Sequence, residues 1–400
     1  MEFHVFLPNY LDDDEYEKEP QDYQEHPALP VWSPVLEHKG SEPALRLAKR
    51  WLRQCLKEHP ECADTRCVRL PDRLLYIRTR DFKSRSFEVQ LVETDGAKGC
   101  YVALSHCWGK VQPLKTRNEE DLKKWKKGIP WAELPRTFQD SIQITAFLGY
   151  RYIWIDSICI VQGDQDDWER QSAQMGRYYE SSVVTIVAAS ASGHEQGILV
   201  RKNLFAGTVM LGNDFSDIPV RFQEPLVHKM PWFANPIDPI DMRAWAYQER
   251  LLSPRSLVYS TQEMKWECDT SHCCECGMDD TRFRDGRHDY HFRGIAQCTK
   301  AEALDVWYER VVPVYSRRDL TQGTDKLPAL SGVVAKLSER IGGRYLGGIW
   351  EDDFIYGLSW RVSHENWVRR PIKLCPKYQA PSFSWASISC EGRYPAKRVE

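Results

Sequence analysis

The sequence has no long apolar run, no strong charge of either sign, and none of the common phosphate-, dinucleotide- or zinc-protease signatures. The longest mostly apolar candidate, Val183–Ala189, is far short of the ~20 residues that cross a bilayer, so no membrane span is expected. A formal net charge of −3 provides no electrostatic footprint for nucleic acid or an anionic membrane. Gly-x-Ser-x-Gly and His-Glu-x-x-His are both missing, as are a strand-following Gly-x-Gly-x-x-Gly and a Gly-Lys-Ser/Thr loop. Their absence speaks against nucleophile-elbow hydrolases, zincins, dehydrogenases and NTPases. The N-terminus lacks a basic region and runs into Asp12, Asp13 and Asp14, so it does not read as a signal peptide and a cytoplasmic location is expected.

Cysteine and tryptophan, by contrast, are plentiful. Thirteen cysteines, odd in number and scattered, read as reduced thiols. They form two clusters, Cys55, His59, Cys62 and Cys67, and Cys268, His272, Cys273, Cys274 and Cys276. The later run is too tightly spaced for an ordinary zinc knuckle and the earlier one lies partly on a helix face. Buried free thiols are therefore the expectation, and no metal ligand is assigned. Fifteen tryptophans suit a large core.

A length of 400 residues allows two or three domains at ~100–200 residues each. Residues 1–40 hold an acidic cluster, Asp12 to Glu25, among prolines, and read as a poorly ordered tail or surface strap. Residues 41–94 form a lead-in. Ala44, Leu45, Ala48, Trp51, Leu52, Cys55 and Leu56 predict a helix over 42–58, and Leu74–Ile77 and Phe87–Glu93 read as strands.

From 95 to 270 strand and helix alternate. Strands are expected at Tyr101–Ser105, Tyr152–Ile160, Val183–Ala189 and Ser256–Cys268, and helices at Pro135–Leu148, Asp166–Tyr179 and Ala244–Leu252. An insertion of short strands is expected over 198–240. Residues 271–400 read as a C-terminal extension, with helices near Ala301–Tyr315 and Leu327–Ile341 and strands around Tyr356–Val362 and Ser382–Ser389. The alternation implies an α/β class with a parallel sheet, whose ligands bind beyond the carboxyl ends of the strands. Ser105 to Gly109, Asp156 to Cys159 and the Ser190–Gly197 loop lie there.

Three blocks carry a resemblance: Tyr101-Val-Ala-Leu-Ser-His-Cys-Trp-Gly109; Leu134-Pro-Arg-Thr-Phe-Gln-Asp-Ser-Ile142 continuing through Arg151–Ile160 to Met175; and Arg243-Ala-Trp-Ala-Tyr-Gln-Glu-Arg-Leu-Leu-Ser-Pro-Arg255. In this order they resemble the HET (heterokaryon incompatibility) domain of filamentous fungi, a distant relative of TIR domains. The resemblance implies a TIR-like (flavodoxin-like) parallel sheet flanked by helices, with insertions and an α+β C-terminal extension, as one elaborated core. It also implies a cell-death effector in fungal non-self recognition, with homo-oligomerisation and an incompatibility partner protein.

Several TIR domains cleave NAD, and their motifs can be followed here. Leu104-Ser105-His106 is similar to the end of their first strand and Ile155-Asp156 to their second-strand pair. Trp245-Ala-Tyr-Gln-Glu249 keeps the spacing of their glutamate helix without its cysteine, and a long insertion separates it from Ala189. The resemblance thus implies hydrolysis of NAD(P), as substrate and not cofactor, at the N-glycosidic bond, with Glu249 as the catalytic carboxylate. Ser105, Trp108, Gly109, Asp156, Ser157 and Trp245 would bind substrate, with the two tryptophans stacking. The alternative is a non-enzymatic HET interaction or oligomerisation module that triggers death through partners.

The residues themselves leave roles open. Trp245, Gln248, Glu249 and Leu252 share a helix face, so Glu249 is either functional or structurally paired, with Arg243 or Arg151. The continuation through Arg255 could clamp that helix on the sheet. Asp156 either caps the following loop or binds ribose, since a buried carboxylate must be partnered. Asp166, Asp167 and Glu169 suit a helix start. Gly109 serves a turn or a close backbone approach.

Overall fold

The computed structural model describes residues 38–62, 64–65, 67–81, 86–112, 114–201, 238–276, 298–362 and 378–389, with the short strands at 4–6, 206–211, 218–223, 373–374 and 392–393. The acidic run Asp12 to Glu25 lies outside the described residues, as does most of the proline-bearing part of the insertion.

Eight strands build the main sheet: β1 Arg73–Asp81, β2 Ser86–Glu93, β3 Val102–Ser105, β4 Tyr152–Trp154, β5 Thr185–Val187, β6 Arg255–Tyr259, β7 Met264–Cys268 and β8 His272–Cys274. Their spatial order is β8-β7-β6-β5-β3-β4-β1-β2. The β6-β5-β3-β4 centre is parallel, and both flanks are antiparallel. The sheet is therefore mixed, and the fold is α/β. Within the parallel centre the chain visits β3, then β4 on one side, then β5 and β6 on the other. The direction reverses between β3 and β5, which is where open α/β sheets hold their ligands.

Covering helices follow from local sequence. Helix α1, Glu42–Glu58, begins where the Ser41 side chain accepts from the Ala44 N–H at 3.4 Å, and it buries Ala44, Leu45, Ala48, Trp51, Leu52 and Cys55. Helix α2, Glu119–Lys127, is capped by Asn118. Helix α3, Arg136–Leu148, ends at Gly149, whose φ of 98° closes a left-handed cap. Helices α4 (Asp156–Cys159), α5 (Gln165–Ser172) and α6 (Met175–Glu180) follow β4, and α7 (Ala244–Leu252) precedes β6.

The expected elements hold in place but not in all bounds. Tyr152–Ile160 is not one strand: it leaves the sheet after Trp154 and turns through α4, because an apolar run by itself does not distinguish strand from buried helix. The helix expected over Asp166–Tyr179 is split at Ala173–Gln174, and Gly176 then lies against the backbone of Gly332. Ser256–Cys268 is a hairpin. Ser260 Oγ donates to the Glu263 carbonyl at 2.8 Å and accepts from its N–H at 3.2 Å, closing the turn.

A second core lies beyond β8. Lys300–Asp305 starts with a Thr299–Glu302 capping box and continues through a π-helical stretch, Val306–Val311, into Val312–Tyr315, where Pro313 cannot donate its backbone nitrogen. With the helix Ser331–Ile341 it encloses Trp307, Trp350 and Trp385. Tyr356–Val362 is largely helical turn rather than strand. Helix α7 joins the two cores: Ala244, Tyr247, Leu251 and Leu252 pack on the second, and Trp245 touches both.

Candidate functional site

Four segments converge beyond the carboxyl ends of β3, β4 and β5: the loop after β3, the turn α4, the Ser190–Gly197 loop and helix α7. Asp156 is the hub. Its Oδ2 accepts the Trp108 indole N–H at 2.9 Å, and its Oδ1 accepts the Ser157 backbone N–H at 2.8 Å. Arg243 reaches in from the start of α7, with its NH2 group 3.9 Å from Asp156 Oδ2 and the guanidinium carbon 5.7 Å from the Trp108 ring centre. It also donates to the carbonyl of His106. His194 Nδ1 lies 2.8 Å from the Trp108 carbonyl, tying the Ser190–Gly197 loop to the same loop.

Gly109 lets these two loops meet. Its φ is 77°, and a Cβ there would stand 2.8 Å from the Cα of Gly193. Both readings of this glycine, turn and close approach, therefore apply together.

His106 Nδ1 lies 3.7 Å from Asp156 Oδ1, but burial lowers the imidazole pKa to about 4 against the pull of Asp156, with Arg243 and His194 adding to the lowering. At neutral pH it is an uncharged ring, edge-on to Phe138 at 5.0 Å, and the pair with Asp156 is not an ion pair.

Glu249 is 1% exposed. Burial raises its pKa to about 7; Arg243 opposes the rise and Asp156 adds to it, while the Ser105 and Tyr179 hydroxyls favour the charged form. Arg243 acts on it through space, its donors being directed at His106 and Asp156. Arg151, the other partner considered, is exposed at the opposite end of β4. Tyr179 Oη also lies 3.0 Å from the Leu104 carbonyl, to which it donates.

Both Glu249 carboxylate oxygens, Ser105 Oγ, Ser157 Oγ and both nitrogens of His106 are buried without a hydrogen bond of normal geometry among the described residues. Such a concentration at one end of a sheet is unusual, since buried polar side chains are ordinarily satisfied.

The clamp on α7 is also real. Arg250 forks onto Glu267 of β7 and lies 3.3 Å from Asp241. Ser253 Oγ donates to the Glu249 carbonyl and lies 2.6 Å from Thr185 Oγ1. Gln248 Oε1 accepts from the Gly332 N–H at 2.7 Å.

Residues 101–249 match the family model described as heterokaryon incompatibility protein (HET). They form a HET domain. The HET match opens on the residue before β3 and closes on Glu249, so it encloses the whole cluster while covering less than half of the 400 residues. The family description supplies the coarse function, a role in heterokaryon incompatibility. No curated protein and no solved structure matches the chain. No helix among the described residues is long and apolar enough to cross a membrane.

Within this HET domain the structure brings together Ser105, Trp108, Gly109, Asp156 and Ser157 with Glu249. Trp245 is placed differently: its indole N–H donates to Asp325 Oδ2 at 3.3 Å, on the C-terminal side. Asp164, not Asp166 or Asp167, caps α5, and Asp167 instead pairs with buried Arg73 and accepts the Val161 N–H. His106, Tyr179 and His194 were not singled out by sequence reasoning, although His106 lies inside the first block and His194 inside the loop already marked. Arg243 was considered only as a structural partner.

Thiols gather elsewhere. Cys55, His59, Cys62 and Cys268 bring one ligand atom each to within 4.8 Å of one another, as do Glu263, Cys274 and Cys276.

Proposed function

We propose that this protein is a cell-death effector of fungal non-self recognition that hydrolyses NAD(P) at the N-glycosidic bond, with Glu249 as the catalytic carboxylate. The supporting observation is the set of buried, unsatisfied polar atoms on Glu249, Ser105, Ser157 and His106 at the point where the parallel sheet reverses direction. In the reaction the ribose C1–N bond breaks and its electron pair passes to nicotinamide, which leaves neutral. Ionised Glu249 stabilises the oxocarbenium-like ribose, and water adds to C1 and releases a proton. Asp156 receives ribose hydroxyls, Trp108 stacks on the nicotinamide, and Ser105, Gly109 and Ser157 line the phosphate or ribose edge. Trp245, held by Asp325, steadies α7.

The complete burial of Glu249 requires an opening before substrate enters, and self-assembly is the proposed trigger. The same burial favours a second reading, a non-enzymatic interaction module in which Glu249 is a structural carboxyl. Nicotinamide release from NAD and NADP separates the two, measured for wild type and Glu249→Gln, each as the free chain and after enforced assembly. Release that falls about 100-fold or more in the variant supports the enzyme. Equal activities, or none in any state, leave the module.

A further inference from the structure

The two cysteine clusters, apart in sequence, meet in space. Helix α1 delivers Cys55 from its last turn and His59 from its C-cap, where the His59 N–H donates to the Cys55 carbonyl at 3.1 Å. One tight turn further on, the Cys62 N–H donates to the His59 carbonyl, also at 3.1 Å. Across the sheet, β7 ends on Cys268, whose Sγ lies 3.4 Å from His59 Nδ1. The three sulfurs and this nitrogen all lie within 4.8 Å of one another. Cys55 and Cys268 are fully buried and Cys62 nearly so.

From these positions we infer that Cys55, His59, Cys62 and Cys268 form a structural Zn²⁺ site that staples helix α1 to the β7–β8 edge of the main sheet. Three thiolates and one imidazole are the donor set of closed tetrahedral zinc sites, and this softness selects zinc over magnesium or calcium. Donors already point at the sulfurs. Arg255, 2% exposed, directs Nε at Cys55 Sγ at 3.1 Å, and the Ser271 N–H points at Cys268 Sγ at 3.2 Å. Thr270 Oγ1 lies 3.6 Å from Cys62 Sγ. A Cys₃His zinc centre carries one net negative charge, which the guanidinium of Arg255 offsets, and N–H groups aimed at ligand sulfurs are the usual outer shell of such centres. None of the four side chains belongs to the Glu249 cluster, so the site does not rest on the proposed activity.

Cys55, Cys62 and Cys268 form no disulfide, and four donors suit a metal where a disulfide would use two. The test uses the full chain purified under reducing conditions without chelator. Zinc is counted by mass spectrometry, and Co²⁺ replacement is followed by absorption. About one equivalent of zinc is expected, with thiolate-to-cobalt and tetrahedral d–d bands on replacement. Cys62→Ser and Cys268→Ser should each lower retained metal at least about tenfold. Cys67→Ser and Cys274→Ser should keep it, and His59→Cys should keep it with an altered cobalt spectrum. If the ligand variants do not fold, alkylation of wild type decides. Zinc should protect Cys55, Cys62 and Cys268 while Cys67 reacts, and chelation should expose all three. Full zinc retention in Cys62→Ser and Cys268→Ser, a wild type that binds neither metal, or a mapped disulfide among the three cysteines overturns the site.

Discussion

The indole N–H of Trp108 donates to Asp156 Oδ2 at 2.9 Å, joining the loop after β3 to the turn after β4. Two carboxyl ends of the parallel sheet are thereby locked together beside Glu249. The same carboxylate also accepts the N–H of its neighbour Ser157 at 2.8 Å, inside the turn that follows β4.

Replacing Asp156 separates hydrogen bonding from charge. Asp156→Ala should cost about 1–3 kcal/mol in urea unfolding, since the buried Ser157 N–H and the Trp108 indole lose their acceptor. Asp156→Asn should cost less, because its single amide oxygen keeps one of the two bonds, to Trp108 or to Ser157, while its NH2 group cannot accept the other. Equal losses in the two variants would show that charge, not acceptance, holds the loops.

The pH dependence of stability should carry two opposed slopes. Glu249 is raised from 4.5 to about 7 in the fold, so its contribution is full below pH 4.5 and is lost as pH rises through about 7. His106 is lowered from 6.5 to about 4, so its contribution is full above pH 6.5 and is lost as pH falls through about 4. Each swing is of order 3 kcal/mol, and between pH 4.5 and 6.5 they largely cancel. Glu249→Gln should unmask a rise in stability with pH over that window, and His106→Asn a fall, both read from urea midpoints. At pH 8 Glu249→Gln should be more stable than wild type, whatever it does to activity.

Gly109→Ala and Gly149→Ala form a matched pair. Both positions have positive φ, 77° and 98°, so each substitution meets the backbone penalty of about 1 kcal/mol. Only at Gly109 does the new Cβ also meet a neighbour, Gly193 Cα, whereas nothing lies within 4 Å at Gly149. Gly109→Ala should therefore lower the thermal midpoint more, and it alone should change amide exchange in the Ser190–Gly197 loop.

Glu267→Ala should cost about 3–5 kcal/mol by leaving buried Arg250 without its fork partner. Adding Arg250→Met should recover part of that loss, because the buried guanidinium is removed together with its fork partner. Chemical denaturation of the single and double variants measures the coupling.

Much of the frame was legible along the chain. The 3.6-residue spacing of apolar side chains from Ala44 to Cys55 sets α1 residue for residue, and Gly149 and Pro254 end the helices that precede them. The strand–helix alternation sets the parallel centre of the sheet. Boundaries within nearly apolar segments were not legible: Tyr152–Ile160, apolar apart from Asp156 and Ser157, suits a strand or a buried helical turn alike, and only packing chose the α4 turn.

By itself, the sequence determined the α/β class, the helix faces, and the three blocks that mark a HET domain. These rest on local periodicity and on residues near one another in the chain. Tertiary structure alone decided that Glu249 is buried beside Ser105 and Tyr179 rather than paired with Arg151, and that Trp245 turns to Asp325. It also decided that Cys268 completes a group with His59, 209 residues away. Burial, pKa and ligand geometry depend on which distant surfaces exclude water from one another, and no spacing along the chain contains that information.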